Sequence, residues 1–519
     1  MLNNLKFNFP DGYDEQQFVG ELADHYSIKK DQSIANSFAI YDTFDWRLFN
    51  KSLVLYESGN KLFLRKIFKN SIIQSAEITS LPVFIWGFPD SELKEKLAPI
   101  IKMRALLKLV EVHSRSTPYR VLNQDEKIVA RLVYEEIRPS RGKDAPALAT
   151  HFWLKPVRGY PKYSRNLAKR FEETGFVISK KEDIYFKALE AVDKKPGSYT
   201  AKINIQLDPD MCSNEATKII LQFLLQVIRI NEANIEKDLD TEFLHDLRVA
   251  IRRTRSALSQ IKSVFPAETT ARFKKNFAFI SKLSNQLRDL DVYLLNEDSY
   301  KEMLPAVLRD DIGPLFNYLR EKRSKALQEV ISGFESKEYT QILQDWDAFL
   351  NEPPQDSPMA PNADLPIIDM ARKKIYKRYK NIVKTGNRIL KNTNDEMLHA
   401  LRIECKKLRY LMEFFASLFH HKKINTLIAQ LKKLQDNLGD FNDLCVQGEY
   451  LLNIAEELPI TDQQSNKMLV AIGSLIETLD REKQQVKDAF AKTFTVYASP
   501  ANKKLFRELF ASKLKEAVS

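Results

Sequence analysis

One basic stretch of this sequence occurs twice. The segment FLHDLRVAIRRTRSAL, residues 243–258, returns as MLHALRIECKKLRYLM, residues 397–412. The offset is 154 positions, 399 minus 245 for the two histidines, and it runs without a gap. The same offset aligns RDLDV, which begins at Arg288, with NDLCV, which begins at Asn442. A register of this length predicts a duplicated helical unit.

Charge and length narrow the classes of protein that fit this chain. The 519 residues include 80 lysines and arginines against 69 aspartates and glutamates, for a formal net charge of +11. This excess favours polyanionic partners without selecting one of them. Hydrophobic residues make up 44% of the chain, so it can bury substantial cores, and its length predicts about two to four domains.

The cysteines and the first residues bear on cofactors and location. Cys212, Cys405 and Cys445 lack the spacing of a zinc site or of a disulfide framework. We therefore predict no metal and no cofactor. MLNNLKFNFPDGYDE lacks a basic segment followed by an apolar core, and no apolar stretch approaches the roughly 20 residues that span a bilayer. We expect a cytoplasmic protein that does not enter a membrane.

The pattern of residues predicts two regions, an α+β domain over 1–207 and an all-α domain over 208–519. Short β-like runs such as KSLVLYESG and KIVARLVYEEI alternate with helical patterns in the first region. Helical periodicity prevails from about Glu215. The all-α domain is predicted to consist of repeat one, about 208–350, a proline-rich linker, 351–366, and repeat two, about 367–510.

Two finer assignments follow from the same patterns. SELKEKLAPIIKMRALLKLV, residues 91–110, has helical spacing of its apolar residues and is predicted to be one helix. TAKINIQL, residues 200–207, alternates apolar and polar residues and is predicted to be a strand.

The N-terminal region resembles a known domain family. In YDTFDWRLFNKSLVLYESGNKLFLRKI, from Tyr41, a tyrosine-aspartate-threonine turn leads into two β-like runs. This arrangement resembles CYTH (triphosphate tunnel) domains, in which the runs form paired antiparallel strands. MRALL at Met103 and VRGYPK at Val157 extend the resemblance.

The departures from CYTH enzymes concern the residues that carry their chemistry. Those enzymes open with an E-x-E-x-K strand whose carboxylates hold a divalent metal against a triphosphate. Here Leu2 and Asn4 replace the glutamates, only Lys6 is kept, and Tyr56 stands where CYTH enzymes carry a phosphate-binding cation. We expect a degenerate CYTH-like domain without catalysis. The alternative is a metal-dependent triphosphate hydrolase.

The second region resembles the CHAD family, a helical domain named for its conserved histidines. The matching motifs are HDLRVAIRRTR from His245, RDLDV from Arg288, HALRIECKKLR from His399 and LGDFND from Leu438. The resemblance covers roughly residues 208–510. It implies a fold of two pseudo-symmetric four-helix bundles and a function in binding inorganic polyphosphate.

The repeated stretch carries a cationic stripe when it is read as a helix at about 100° per residue. In the first copy the stripe lies within an arc of roughly 80° beside an apolar arc. Its residues are His245, Arg248, Arg252 and Arg255, and those of the second copy are His399, Arg402, Lys406 and Arg409. Cations at the edge of a packing face lie in a lower dielectric than fully solvated cations, so they attract anions more strongly. We predict that the two stripes form opposite walls of one anion-binding cleft.

Other residues near the stripes receive supporting roles. Arg253, Lys407, Lys262 and Arg288 are predicted to be additional binding residues. Asp289 and Asp443 are predicted to orient stripe arginines, with helix capping as the alternative. Each histidine taken alone also fits a structural role.

The number of acidic residues near the cations distinguishes a binding stripe from an ordinary solvated face. Asp246 and Glu404 are the only acids within the two stripes, and neither can neutralise three or four cations. KKIYKRYKNIVK, from Lys373, is by contrast interpreted as a solvated charged face.

The choice of ligand depends on what accompanies the cations. Nucleic-acid readers contact base edges or stack bases on aromatic side chains, and the stripes provide neither arrangement. A phosphate polymer without bases requires only repeated cations. We predict a polyphosphate-binding protein that associates with polyphosphate granules, with nucleic acid as the alternative polyanion. A protein-interaction scaffold with an unknown partner is the third hypothesis.

Overall fold

The structure is a computed structural model that describes residues 4–10, 13–68, 71–140, 146–179, 184–353, 359–457 and 463–511. The chain divides into two compact units, Met1–Thr200 and Ala201–Ser519. Residues 191–211 form neither helix nor strand, and both this division and the predicted boundary after residue 207 fall within them. The predicted strand at 200–207 is therefore wrong.

The first unit is built on an antiparallel sheet. Its described strands are β1 (Leu5–Asn8), β2 (Ser27–Lys30), β3 (Ile34–Thr43), β4 (Leu53–Ser58), β5 (Lys61–Lys66), β6 (Ile72–Glu77), β7 (Leu106–Leu122), β8 (Ile128–Pro139), β9 (Ala149–Pro156) and β10 (Val177–Ile178). They lie in the order β10-β1-β9-β8-β7-β3-β4-β5-β6, and β2 also pairs with β7. The helices are α1 (Glu15–Ala23), α2 (Glu92–Ile101), α3 (Pro161–Glu173) and α4 (Ile184–Glu190).

Aromatic side chains form much of the core of this unit. Phe7 of β1 stacks on Phe152 of β9 with ring centroids 5.1 Å apart, and Phe18 of α1 and Phe171 of α3 pack against Phe152. Such pairs stabilise beyond their buried area. The sheet is thus anchored to two helices, and the predicted antiparallel α+β fold is confirmed.

The predicted helix at 91–110 is wrong in its second half. Helix α2 ends at Ile101, and Lys102, with φ 52° and ψ −121°, has left the helical conformation. Leu106 begins β7, which pairs with both β3 and β8. Pairing within the sheet therefore overrides the helical spacing of these leucines.

The residues compared with CYTH motifs lie at the start of the sheet. Lys6 is on β1, and its Nζ lies 5.8 Å from the centroid of the Trp153 ring. Asn4 immediately precedes the strand, whereas Leu2 lies outside the described residues. The unit is β-rich, and its resemblance to CYTH domains stays a prediction.

The second unit is helical, as predicted. Its helices are α5 (Ser213–Ile235), α6 (Glu242–Gln260), α7 (Ala267–Leu283), α8 (Asn285–Leu295), α9 (Glu297–Met303), α10 (Gly313–Glu335), α11 (Lys337–Asn351), α12 (Ile367–Ile389), α13 (Asp395–Phe414), α14 (His421–Glu457), α15 (Gln463–Tyr497) and α16 (Pro500–Phe510). The predicted linker, 351–366, begins at the last residue of α11 and ends just before α12, and its residues 354–358 are outside the described part of the chain. No helix in the described ranges is long and apolar enough to cross a membrane.

The helices repeat at the offset found in the sequence. Helices α5 and α12 begin 154 residues apart, 367 minus 213, and end 154 residues apart, 389 minus 235. Helices α7 and α14 also begin 154 residues apart, 421 minus 267. One difference is a break at Ser284, which separates α7 from α8, whereas α14 continues through the equivalent position.

The two stripe-bearing helices, α6 and α13, pack against each other. Arg253 Nη2 donates to Glu413 Oε2 at 2.7 Å, and Gln260 Nε2 donates to the Lys407 carbonyl oxygen at 3.1 Å. Partner numbers on α13 fall as numbers on α6 rise, so the helices run antiparallel. Shifting each residue of the Arg253–Glu413 contact by 154 positions into the other repeat gives residues 407 and 259. The observed hydrogen bond joins Lys407 to Gln260, one residue away. Contacts at nearly equivalent positions are typical of a pseudo-two-fold relation between the repeats.

Candidate anion-binding site

A cavity of about 330 Å³ lies between α6 and α13. We call it the central groove. Stripe residues from both repeats line it, namely Arg252 and Arg255 of α6 and His399, Arg402 and Lys406 of α13. The remaining lining residues are Ser256, Ser259, Gln260, Ile403, Lys407 and Tyr410. The structure thus brings parts of the two predicted stripes together around one space.

Three cations of the central groove lack a fixed counter-ion. Among the described residues, Arg252, Arg255 and Lys406 form no ion pair, while Arg402 pairs with Asp443 at 3.1 Å. Like charges held close together repel each other unless an anion offsets them. The groove is therefore a site of excess positive charge.

The pKa of Lys406 reflects this environment. Burial of its ammonium, together with the nearby guanidinium groups of Arg402 and Arg252, lowers the pKa to about 8 from the ordinary 10.5. Arg252 belongs to α6 and Lys406 to α13, so the cations of the two helices act on each other across the groove. An anion bound between them would favour the charged form of Lys406.

His399 is oriented by a neighbouring helix. Its Nδ1 lies 2.7 Å from Asn442 Oδ1 of α14. Because an amide oxygen can only accept, Nδ1 carries the proton of this hydrogen bond. The neutral ring then has no second donor, so Nε2 can donate to an anion only when the imidazole is protonated.

Arg409 does not line the central groove, although Arg255, its equivalent, does. Arg409 Nε pairs at 3.3 Å with Glu413, which lies four residues later on the same helix. The residue four positions after Arg255 is Ser259, which offers no charge. Glu413, which lies just beyond the second stripe, therefore supplies a counter-ion that the acids within the stripe did not reveal.

Arg248 is also held away from the central groove. Its Nη1 donates to Ser284 Oγ and to Asn285 Oδ1, both at 2.9 Å, where α7 ends and α8 begins. Burial and the nearby Arg252 lower its pKa to about 10. At the positions equivalent to 284 and 285, repeat two has Leu438 and Gly439, which offer no side-chain acceptor. Arg402, the equivalent of Arg248, instead reaches Asp443 and the groove.

The other predicted residues are distributed around the groove. His245 lies in the first turn of α6, outside the groove lining. Arg253 links α6 to α13 through Glu413 and is nearly buried, whereas Lys407 lines the groove and pairs with Glu404 at 3.0 Å. These contacts give Arg253 a structural role.

The acidic residues predicted to orient arginines, Asp289 and Asp443, both lie inside helices, α8 and α14, and neither caps one. Burial raises the pKa of Asp289, and the guanidinium groups of Arg248 and Arg288 oppose this shift. Arg288 is outside the groove lining, as is Lys262, which lines a different cavity.

That different cavity contains residues that the sequence interpretation missed. It measures about 190 Å³, and we call it the α12 groove. Lys374, Lys377 and Arg378, from the stretch interpreted as a solvated face, line it together with Lys262. The sequence does distinguish these three residues of α12 from an ordinary charged face, because the residues of α5 at the same offset are apolar.

A comparison with protein-family models matches residues 219–452 to the CHAD domain. This chain contains a CHAD domain. The match includes both α6 and α13 and therefore every residue that lines the central groove. The resemblance to this family is confirmed, and the β-rich first unit lies outside the matched residues of the CHAD domain.

Relatives of the chain are known by sequence and by structure. Uncharacterized proteins from two strains of Mycobacterium tuberculosis are 24% identical over 217 residues, which is 41% of this chain and 40% of each relative. The match thus spans less than half of the length of these curated relatives. A crystal structure of the CHAD domain from the plant Ricinus communis covers 58% of this chain and 96% of its own, with 25% identity and a TM-score of 0.49. The structure of PptA from Streptomyces chartreusis covers 55% of this chain and 99% of its own, with 15% identity and a TM-score of 0.43.

Proposed function

We propose that the CHAD domain binds inorganic polyphosphate in the central groove. The observation that carries this proposal is the meeting of Arg252, Arg255 and Lys406, cations without an ion pair among the described residues, around one cavity between two helices. The resemblance to the CHAD family implies the same ligand. Binding of long chains would take the protein to polyphosphate granules.

Two features of the groove favour polyphosphate over nucleic acid. Tyr410 is the one Phe, Tyr or Trp residue in the lining and is 6% exposed, and both Arg253 and Arg409 lie within 6 Å of its ring centroid. A buried ring in contact with cations gives a base no stacking platform. Five of the groove's lining side chains are lysines and arginines, which suits a polymer that consists of phosphates.

The proposal is tested by comparing ligands at one ionic strength. We expect long-chain polyphosphate to bind the whole protein more tightly than single-stranded DNA or RNA of similar charge. We also expect its affinity to fall steeply with salt, because several phosphates are bound at once. Fluorescence anisotropy with end-labelled ligands measures both quantities. Tighter binding of DNA or RNA would replace this proposal with nucleic-acid binding, and no polyphosphate binding at low salt would end it.

Polyphosphate binding should take up a proton at mildly alkaline pH. The pKa of Lys406 is lowered to about 8, so its amine is largely neutral in the free protein above that pH. A bound polyanion raises this pKa towards its ordinary value and restores the charge. Affinity should therefore fall as the pH rises through about 8 to 10. Calorimetry at pH 9 in two buffers of different ionisation enthalpy measures the uptake.

The matched control for proton uptake is Lys406→Arg, which keeps a charge at this pH. This variant should bind polyphosphate with less proton uptake than the wild type. Equal uptake by the two proteins would show that another group takes up the proton.

A further inference from the structure

We infer that the polyphosphate path continues from the central groove into the α12 groove, so that the CHAD domain selects chains long enough to occupy both. This inference rests on the proposed function. The two cavities share Ser259 and Gln260 at the end of α6, so they are neighbours on this part of the domain. The α12 groove adds four cations to the path, namely Lys262, Lys374, Lys377 and Arg378.

The charge in the α12 groove is not balanced by the protein. Among the described residues, Lys262, Lys374 and Lys377 form no ion pair, and Arg378 shares the single carboxylate of Glu404 with Lys407. Burial and four nearby cations, Lys262, Lys373, Lys377 and Arg378, lower the pKa of Lys374. A half-buried ammonium among cations is unfavourable for folding. A bound anion would remove that cost.

Comparison of the two repeats indicates that the fold does not require cations at these positions. Four residues of α12 line the groove, Lys374, Lys377, Arg378 and Asn381. At the same offset of 154 positions, α5 has Ile220, Phe223, Leu224 and Val227, of which Ile220, Leu224 and Val227 are buried. The duplicated helix therefore folds with apolar residues at these positions in one copy. Polar and charged replacements at all four positions of the other copy indicate a ligand.

The two grooves together are longer than either one. Arg252 and Gln260 are eight residues apart on α6, which corresponds to about 12 Å at the rise of an α-helix, and Lys262 lies beyond. A triphosphate bound by the central groove would leave the α12 groove empty. A long chain would contact the cations of both grooves at once.

The test uses the double variant Lys374→Ala and Lys377→Ala in the full chain. We expect its affinity for long-chain polyphosphate to fall about tenfold, because two phosphate contacts are lost. The slope of log affinity against log salt should shrink by about two. The affinity for tripolyphosphate should change less than about twofold. The control is Lys380→Ala with Lys384→Ala, which removes equal charge from exposed positions of α12 outside both groove linings.

Each outcome of this test has one meaning. Selective loss of long-chain affinity, absent from the control, supports the extended path. Equal loss for long-chain polyphosphate and tripolyphosphate would overturn it, because the lysines would then act through general charge. No loss for either ligand would also overturn it while leaving binding in the central groove intact. If the wild type binds neither ligand, the proposed function itself fails. Circular dichroism should show unchanged helix content in both double variants.

Discussion

Replacing Arg252, Arg255 and Lys406 together by alanine should lower the affinity of the protein for long-chain polyphosphate by about a hundredfold. Each charged contact to a phosphate contributes roughly 1 kcal/mol or more, and about 1.4 kcal/mol corresponds to a factor of ten. These are the cations of the central groove that have no ion pair in the described parts of the chain. Fluorescence anisotropy at fixed ionic strength measures the effect.

The matched control for this variant removes three charges elsewhere. Lys274 and Lys275 of α7 and Lys325 of α10 are exposed, and none lines either groove. Their triple replacement by alanine should weaken binding less than about threefold, through long-range charge alone. Comparable losses in the two triple variants would mean that net charge, rather than the central groove, determines the affinity.

Gly386→Ala should destabilise the helical unit by about 2 to 4 kcal/mol. Gly386 is buried in α12, and a Cβ atom there would overlap the ring of Phe494 of α15. Phe494 is 0% exposed, so its ring has little room to move away. The clash should exceed the roughly 1 kcal/mol that alanine contributes over glycine inside a helix. Urea unfolding followed by circular dichroism measures the change.

A second glycine provides the control of opposite sign. Gly473 lies on α15, is exposed, and a Cβ atom there would meet nothing within 4 Å. Gly473→Ala should therefore raise the free energy of unfolding by about 0.5 to 1 kcal/mol. A Gly386→Ala variant that is stabilised like Gly473→Ala would contradict the tight packing of α12 against α15.

The duplication made much of the helical unit predictable. A gapless offset of 154 residues implies that equivalent segments adopt equivalent structure, and α5 and α12 follow this rule at both ends. The two basic helices were therefore identifiable as a pair from sequence alone. Their antiparallel contact, through Arg253 and Gln260, required the structure, because helical periodicity does not indicate which helices meet.

Which cations face the groove could not be predicted, because their partners are distant or lie just beyond the repeated stretch. Glu413 engages Arg409, and the helix break at Ser284 engages Arg248. Neither feature has an equivalent in the other repeat, since the matching residues are Ser259 and Leu438. Divergence between the copies thus determines which residues of each stripe line the central groove.

In the first unit, the local spacing of apolar residues predicted secondary structure less well than in the helical unit. The leucines after Lys102 have helical spacing, yet they form β7, whose pairing with β3 and β8 supplies hydrogen bonds along much of its length. Such long-range pairing is invisible in a local window of sequence. The α12 lysines show the same limit, because a charged helix face looks alike whether it meets solvent or a groove.

The most direct measurement is a crystal structure of the full chain with a polyphosphate of defined length. We expect a phosphate chain in the central groove, with phosphate oxygens within hydrogen-bond distance of Arg252 from repeat one and Lys406 from repeat two. A phosphate chain bound only elsewhere on the protein, with this groove unoccupied, would contradict it.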